Sequence, residues 1–205
     1  MIYLMKVQLM SLPVLAMCSF ALSMSASPGP VNLLILSNSL SQGWRHTLPL
    51  VSGATLGFIA LLSLLAVGLQ ALSPLPAHML QGMSYLALLY TVYLATKIAC
   101  VKVESQQSSA MPAGFVYGVL MQILNPKAWL ACLAGISLFA EAEKPMQIWL
   151  FIAIYFVLCY LALASWAYAG AQAGRFLREP RSLRQLNFIL SGLLLVSAFF
   201  NLLPR

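Results

Sequence analysis

The sequence is short of acidic residues and of charge in general. It contains no Asp, its only carboxylate side chains are four Glu, and charged residues make up 7% of the 205 residues, against 61% hydrophobic. A soluble globular chain is about 45–50% apolar and about 25% charged. This composition excludes a soluble domain, because too few polar side chains are present to cover its surface. The sequence therefore predicts a protein whose solvent is the lipid bilayer.

Metal-binding and catalytic residue sets are also missing. The four cysteines are widely scattered, at Cys18, Cys100, Cys132 and Cys159. There is no CxxC motif and no His/Cys pairing, whereas zinc needs clustered ligands, so we interpret the cysteines as small apolar packing residues. His46 and His78 fall in joints on opposite sides, and no paired acids, Ser/His pair or HExxH helix is present. The sequence predicts neither an enzyme nor a bound cofactor.

What the chain does contain is a series of long apolar runs joined by short connections. In lipid the backbone must be paired within the protein, which leaves helices or closed barrels, and the runs are longer and more continuous than the alternating segments of about ten residues in a barrel. About 20 apolar residues cross the hydrocarbon. We predict an all-α, six-span helical bundle forming one membrane domain over residues 1–205. The predicted spans are about 7–26 with a continuation to 41, then 47–72, 79–97, 113–140 with an interruption at 125–127, 146–171 and 185–203.

Basic residues mark the joints and predict the orientation. The joints after spans one, three and five carry Arg45, Lys97, Lys102, Arg175, Arg178, Arg181 and Arg184, and the other side carries Lys6, Lys144 and Arg205. The positive-inside rule then places these odd-numbered joints in the cytoplasm and both termini outside. The net charge of +7 is accordingly interpreted as a topology signal and not as a nucleic-acid surface. The N-terminal apolar run is expected to be retained as a span, because its candidate signal-cleavage site runs into Pro28.

Two proline motifs break apolar segments at corresponding places. Pro28-Gly29-Pro30 and Asn125-Pro126-Lys127 place prolines 98 residues apart, close to half the chain, and each proline removes a helix N–H and clashes with the preceding turn. Three predicted spans separate the two breaks, and an odd number of spans per half inverts the second half. The sequence therefore predicts two inverted three-helix repeats, about 1–105 and 106–205, with broken helices that point to a transport site.

The chemistry of a broken span predicts which residues bind substrate. A break exposes N–H and C=O groups that only protein or a water-filled cavity can receive, and the following half-helix N-terminus suits a carboxylate. Lys127 is the only Lys or Arg well inside a predicted span, where a charge needs a partner. We interpret it as an anchor for an anionic group or as a structural tie between half-helices, with snorkelling or pairing to freed carbonyls as the alternative. The candidate substrate-binding residues are Pro28, Gly29, Pro30, Asn32, Gln122, Asn125, Pro126 and Lys127.

Small residues recur at four-residue spacing along three predicted spans. The pairs are Gly53/Gly57, Gly114/Gly118 and Gly170/Gly174. In lipid this spacing lets helix backbones approach closely. The same stripes serve packing within a protomer or between protomers, so the sequence leaves a homodimer open.

Two ordered segments resemble the signature motifs of the lysine exporter (LysE/RhtB) family of amino-acid exporters. They are SPGPVNLLILSNSLSQGWRHT and LMQILNPKAWLACLAGISLF, and the segments SGATLGF and GMSYLALLYTVYLATKI also resemble that family. The resemblance implies a secondary transporter of the bacterial cytoplasmic (inner) membrane that exports small amino acids or their derivatives, with protons as the exchanged ion. It assigns Pro28, Gly29, Pro30 and Asn32 to the first motif and Asn125, Pro126 and Lys127 to the second.

One departure from the family pattern concerns proton coupling. Many members carry an acidic residue after the glycine of span two, whereas here Phe58 follows Gly57. In this respect the chain is similar to the branch associated with cysteine and O-acetylserine export. Two further classes stay open: an exporter of metal or other inorganic ions, which would need His, Cys or acidic ligands within the spans, and a non-transporting membrane subunit, which would need no matched breaks.

Overall fold

The computed structural model describes residues 2–71, 114–140 and 145–176, with isolated residues between 85 and 99 and between 184 and 195. Side chains are described from residue 13 onward within these ranges, apart from those at 69–71, 145, 175 and 176. Every regular element in this part of the chain is helical, which confirms the all-α prediction. The helices are α1 (Ile2–Ala26), α2 (Pro30–Gln42), α3 (Trp44–Ala71), α4 (Phe115–Ile123), α5 (Pro126–Phe139) and α6 (Pro145–Phe176).

Two single helices and two bent pairs have the length and composition of membrane spans. The single spans are Trp44–Gly68 and Met146–Gly174. The bent pairs are Pro13–Ala26 with Pro30–Gln42, at 56°, and Phe115–Ile123 with Pro126–Phe139, at 66°. If each bent pair is one span, the described residues contain up to four spans.

The predicted spans 79–97 and 185–203 lie outside the continuously described residues. The isolated residues described in both segments are helical, and a hydrogen bond of 2.8 Å from Ser191 Oγ to the carbonyl oxygen of Ala95 connects the two segments. The count of six spans and the inverted repeat therefore stay predictions.

Both helix breaks occur where proline chemistry places them. Helix α1 ends at Ala26 and α2 begins at Pro30, where a missing N–H costs nothing and the fixed φ suits the first turn. For the same reason Pro126 is the first residue of α5, and the second break itself lies at Leu124 and Asn125. The interruption expected at 125–127 is thus displaced toward the N-terminus, and Lys127 belongs to the first turn of α5.

Glycines bring α4 against α3 at backbone distance. A Cβ added to Gly53 would collide with the backbone of Phe115, and one added to Gly118 would collide with the backbone of Leu50. A Cβ at Gly57 would lie 2.9 Å from the Cα of Val119. These contacts fix α4, and hence the second break, on the surface of α3.

A second glycine pair brings α6 against α2. A Cβ on Gly170 would lie 2.5 Å from the carbonyl oxygen of Leu36, and one on Gly174 would collide with the carbonyl oxygen of Leu40. Close helix approach is therefore confirmed at five of the six predicted glycines. The exception is Gly114, which is the N-cap of α4 and would offer a Cβ open space.

The described helices bury a cluster of aromatic rings and expose apolar side chains. Phe151 is fully buried, and its ring centroid lies 4.7 Å from that of Phe139 and 5.5 Å from that of Tyr155. On the outside, side chains such as Leu64 and Val116 are 71% and 69% exposed. Large exposed apolar side chains of this kind suit contact with lipid, in agreement with the composition.

Candidate functional site

The break between α1 and α2 leaves carbonyl groups at the end of α1 without partners in their own helix. Nearby groups donate hydrogen bonds to the first of these carbonyls. The backbone N–H of Ser27 donates to the carbonyl of Ser23 at 3.2 Å, and its hydroxyl donates to that of Met24 at 3.1 Å. The amide of Asn32, on the far side of the break, donates to the carbonyl of Ser25 at 2.7 Å. Asn32 therefore ties the end of α1 to the start of α2.

Two side chains from other helices donate hydrogen bonds to the remaining carbonyls. The indole N–H of Trp166, on α6, donates to the carbonyl oxygen of Ala26 at 3.1 Å. The Lys127 ammonium, on α5, lies 2.5 Å from the carbonyl oxygen of Ser27 and 3.5 Å from that of Pro28. Each backbone carbonyl from residue 23 to residue 28 thus has a donor, and the donor to the last two is the Lys127 ammonium.

The backbone N–H groups on the far side of the same break, at the start of α2, are not all paired. Gly29 is the N-cap of α2 and supplies no side-chain hydrogen bond, and Pro30 has no N–H. The next two N–H groups, of the buried residues Val31 and Asn32, have no acceptor among the residues that the structure describes. The Lys127 ammonium lies beside this end, 3.3 Å from the place of a Cβ on Gly29. Unfilled N–H groups, a helix N-terminus and a cation therefore meet at one point.

At the second break the backbone N–H groups find acceptors within the break itself. The side chain of Asn125 accepts a hydrogen bond from the backbone N–H of Lys127 at 3.1 Å and so caps α5. Its amide nitrogen donates to Gln122 Oε1 at 3.0 Å, and the indole of Trp129 donates to the carbonyl of Ile123 at 2.8 Å. The two breaks are therefore alike in sequence and different in chemistry, since only the first leaves donors without acceptors.

A small cavity lies between the two breaks, where the six described helices meet. Its volume is about 30 Å³, which is room for about two water molecules. Four of the predicted residues line it: Asn32, Gln122, Asn125 and Lys127. They contribute amides and an ammonium to its wall.

The other four predicted residues act through the backbone. Pro28, Gly29, Pro30 and Pro126 do not line the cavity. They end one helix and start the next. Gly29 has one further role, because a Cβ there would lie 3.1 Å from Cδ of Lys127 and crowd that side chain. The predicted residues are thus brought together around one cavity. Four of them line it, and the other four shape the backbone at the two breaks.

Several lining residues were not predicted from the sequence. Ser25, Phe58, Tyr155 and Cys159 all face the cavity and are at least nine-tenths buried. The expectation that the cysteines serve only packing is therefore too simple for Cys159, whereas Cys132 is fully buried and lines no part of this cavity. Only Phe58 carried a signal in the sequence, as the residue where an acid is expected.

Comparison with known proteins gives a consistent result. The model of the LysE type translocator family matches residues 22–203. The chain is 29% identical over 189 residues to the cysteine/O-acetylserine efflux proteins of Escherichia coli strain K12 and Salmonella typhimurium, covering 89% of this chain and 94% of each relative. These relatives are named as efflux proteins and not as enzymes. No solved structure matches the chain.

Proposed function

The chain belongs to the LysE type translocator family, and from that premise we propose that it is a secondary transporter that exports small amino acids or their derivatives across the bacterial inner membrane. The efflux proteins that it resembles are named for cysteine and O-acetylserine. Both compounds are small zwitterions with a polar group on the β-carbon. A substrate of this class needs one site for a carboxylate and one for an ammonium group.

The observation that carries the proposal is the arrangement at the first break. The N–H groups of Val31 and Asn32 are buried without acceptors in the described part of the chain, and the Lys127 ammonium lies beside them. A helix N-terminus with unfilled N–H groups binds anions, and an ammonium adds a charge-assisted hydrogen bond. We place the substrate carboxylate here, at the first break alone, because Asn125 already caps the second.

The substrate ammonium group has an acceptor at the second break. Gln122 Oε1 accepts one hydrogen bond from Asn125, and an amide oxygen has a second lone pair. Both residues line the cavity and are at least nine-tenths buried. A zwitterion bound between the breaks would therefore contact both halves of the bundle.

Lys127 links binding to movement in this proposal. In the present conformation its ammonium is held by the carbonyls of Ser27 and Pro28. A carboxylate would compete with those carbonyls and loosen the connection between the two breaks. The cavity of about 30 Å³ has room for about two water molecules, so it would have to widen to hold an amino acid. Alternating access then requires the halves to separate, as in other transporters with broken helices.

Helix lengths support a site inside the bilayer. At about 1.5 Å per residue, α4 extends about 14 Å and α5 about 21 Å on either side of the second break. The hydrocarbon is about 30 Å thick, so a span made of this pair would have its break in the membrane interior. Lys127 holds the first break at the same level.

Four further features belong to the proposal. The seven basic residues of the odd-numbered joints support an orientation with both termini outside. The exposed apolar side chains support lipid as the surrounding partner. Protons are proposed as the coupling ion, although all four Glu lie in predicted joints or their flanks. A homodimer is kept as an alternative to a monomer.

Counterflow in proteoliposomes loaded with a panel of amino acids tests the proposal. We expect exchange of cysteine, serine and O-acetylserine, and net efflux that falls when an uncoupler collapses the proton gradient. Divalent metal ions serve as the competing cargo. Exchange of metals without exchange of any amino acid would establish the inorganic-ion alternative, and no exchange of either would favour a non-transporting subunit.

A further inference from the structure

A second group of polar side chains lies in the cavity and plays no part in binding the carboxylate or the ammonium group. It consists of Ser25 on α1 and of Tyr155 and Cys159 on α6. Their exposed fractions are 7%, 2% and 2%. Two hydroxyl groups and a thiol are thus buried in one cavity of a chain that is 61% hydrophobic.

The hydroxyl of Ser25 is the unusual member of the group. It lies next to the Tyr155 hydroxyl and the Cys159 thiol, yet it is buried without a hydrogen bond of normal geometry. Buried polar atoms in native proteins almost always have partners, and an exception calls for an explanation. Because its contacts with Tyr155 and Cys159 lack normal hydrogen-bond geometry, this cavity-lining hydroxyl is available to a ligand.

The ring of Tyr155 is held in place by aromatic neighbours. Phe58 stacks on it at a centroid distance of 4.3 Å and an interplanar angle of 21°. Phe151 meets it edge-on at 5.5 Å, and Phe20 does so at 6.5 Å. Such packing fixes the position of the hydroxyl before any ligand arrives, which lowers the entropic cost of binding.

We propose that Ser25, Tyr155 and Cys159 form the subsite that reads the substrate side chain and selects a short one with a hydroxyl, thiol or ester oxygen on the β-carbon. This inference rests on the proposed function, and it names the residues that set its specificity. Ala128 and Ala131 line the same cavity, whose volume of about 30 Å³ favours a short side chain. A basic side chain finds no carboxylate among the described cavity residues.

Isosteric substrates separate this subsite from the zwitterion site. Cysteine and serine differ from 2-aminobutyrate only in the group on the β-carbon, which is a thiol or hydroxyl in place of a methyl. A site built to hydrogen-bond a polar group discriminates against the analogue that lacks it. The measured quantity is the ratio of counterflow efficiency for serine or cysteine to that for 2-aminobutyrate, in proteoliposomes.

Single-atom variants then test two of the three residues, Ser25 and Tyr155. We expect Ser25→Ala and Tyr155→Phe each to lower this ratio by about two- to tenfold, the range of one neutral hydrogen bond. The matched control is Ser165→Ala, which removes a hydroxyl from α6 that bonds within its own helix, to Ala162, and should leave the ratio unchanged.

The outcomes are distinguishable. An unchanged ratio in both variants overturns the subsite and leaves the exporter intact. Equal loss of all three substrates by protein that elutes as a folded species also overturns it, because the hydroxyls would then serve structure alone. Absence of counterflow for every amino acid in the unaltered protein overturns the proposed function and the subsite with it.

Discussion

The Lys127 ammonium donates a hydrogen bond to the carbonyl oxygen of Ser27 at 2.5 Å, across 100 positions of the sequence. The bond joins the first turn of α5 to the end of α1, so the two helix breaks form one structural unit. It also places a cation beside the uncapped end of α2. A positive charge inside an apolar bundle is costly unless it is paired, and here freed backbone carbonyls provide the partners.

We expect Lys127→Met to lower the initial rate of amino-acid efflux by about ten- to hundredfold. Methionine keeps most of the side-chain length, whereas the charged donor is lost, and a hydrogen bond to a charged group contributes about 1.5–3 kcal/mol. The variant also leaves the carbonyls of Ser27 and Pro28 without a donor. Efflux from cells loaded with dipeptide, at equal expression, is the measurement.

The control for this variant removes a cation elsewhere. Arg45 is exposed at the start of α3, and Arg45→Gln should change the rate by less than about twofold. Equal efflux by Lys127→Met and the unaltered protein would rule out Lys127 as part of the site.

Gly29→Ala tests the position of Lys127 without removing its charge. The added Cβ would lie 3.1 Å from Cδ and 3.3 Å from Nζ of Lys127, so the side chain must shift away from the first break. We expect a lower rate of efflux and a raised apparent KM, because the anion site then lacks its cation. Kinetics of counterflow at several substrate concentrations measure both quantities.

Gly68→Ala is the matched glycine control. Gly68 lies in α3 with nothing within 4 Å of its would-be Cβ, and alanine in a helix is favoured over glycine by about 0.5–1 kcal/mol. Its transport should stay normal and its stability should not fall. If Gly29→Ala behaves in the same way, the contact with Lys127 has no importance for transport.

Asn125→Ala should lower the stability of the protein by about 0.5–2 kcal/mol, because α5 loses its N-cap. The variant also removes the partner of Gln122. Asn125→Ser keeps an oxygen that caps a helix and should recover most of the stability, while the contact with Gln122 stays lost. Thermal unfolding of detergent-purified protein measures the first effect and counterflow the second. Equal unfolding temperatures for the two variants would show that capping is unimportant here.

The sequence predicts the helix breaks because proline acts locally. Pro30 and Pro126 each begin a helix, where the missing N–H and fixed φ of proline are best tolerated. Proline alone does not decide the break, because α1 continues through Pro13 and α3 through Pro49. Lys127 could be identified as well, since it is a lone charge in an apolar run. The partner of its ammonium group could be narrowed to freed backbone carbonyls or a ligand, because no acidic residue lies in a predicted span.

The sequence did not predict which residues from different helices contact one another. Nothing in the sequence of α6 indicates that Trp166 donates to the carbonyl of Ala26, because an indole in a span serves equally well at the membrane interface. Cys159 and Cys132 both lie in apolar runs, and only the fold places Cys159 against the cavity. Likewise, the two breaks look equivalent in sequence, and only the structure shows that Asn125 caps one of them.

The pair Gly114 and Gly118 is the sharpest case, because two glycines of one motif have different surroundings. A Cβ at Gly118 would collide with the backbone of Leu50 in α3, whereas a Cβ at Gly114 would enter open space. We expect Gly118→Ala to lower the stability of the protein by about 1–3 kcal/mol through overpacking, and Gly114→Ala to be tolerated. Unfolding temperatures of the two purified variants make the comparison. Equal destabilisation by both variants would mean that α4 does not pack on α3 through Gly118. The position of the second break would then need revision.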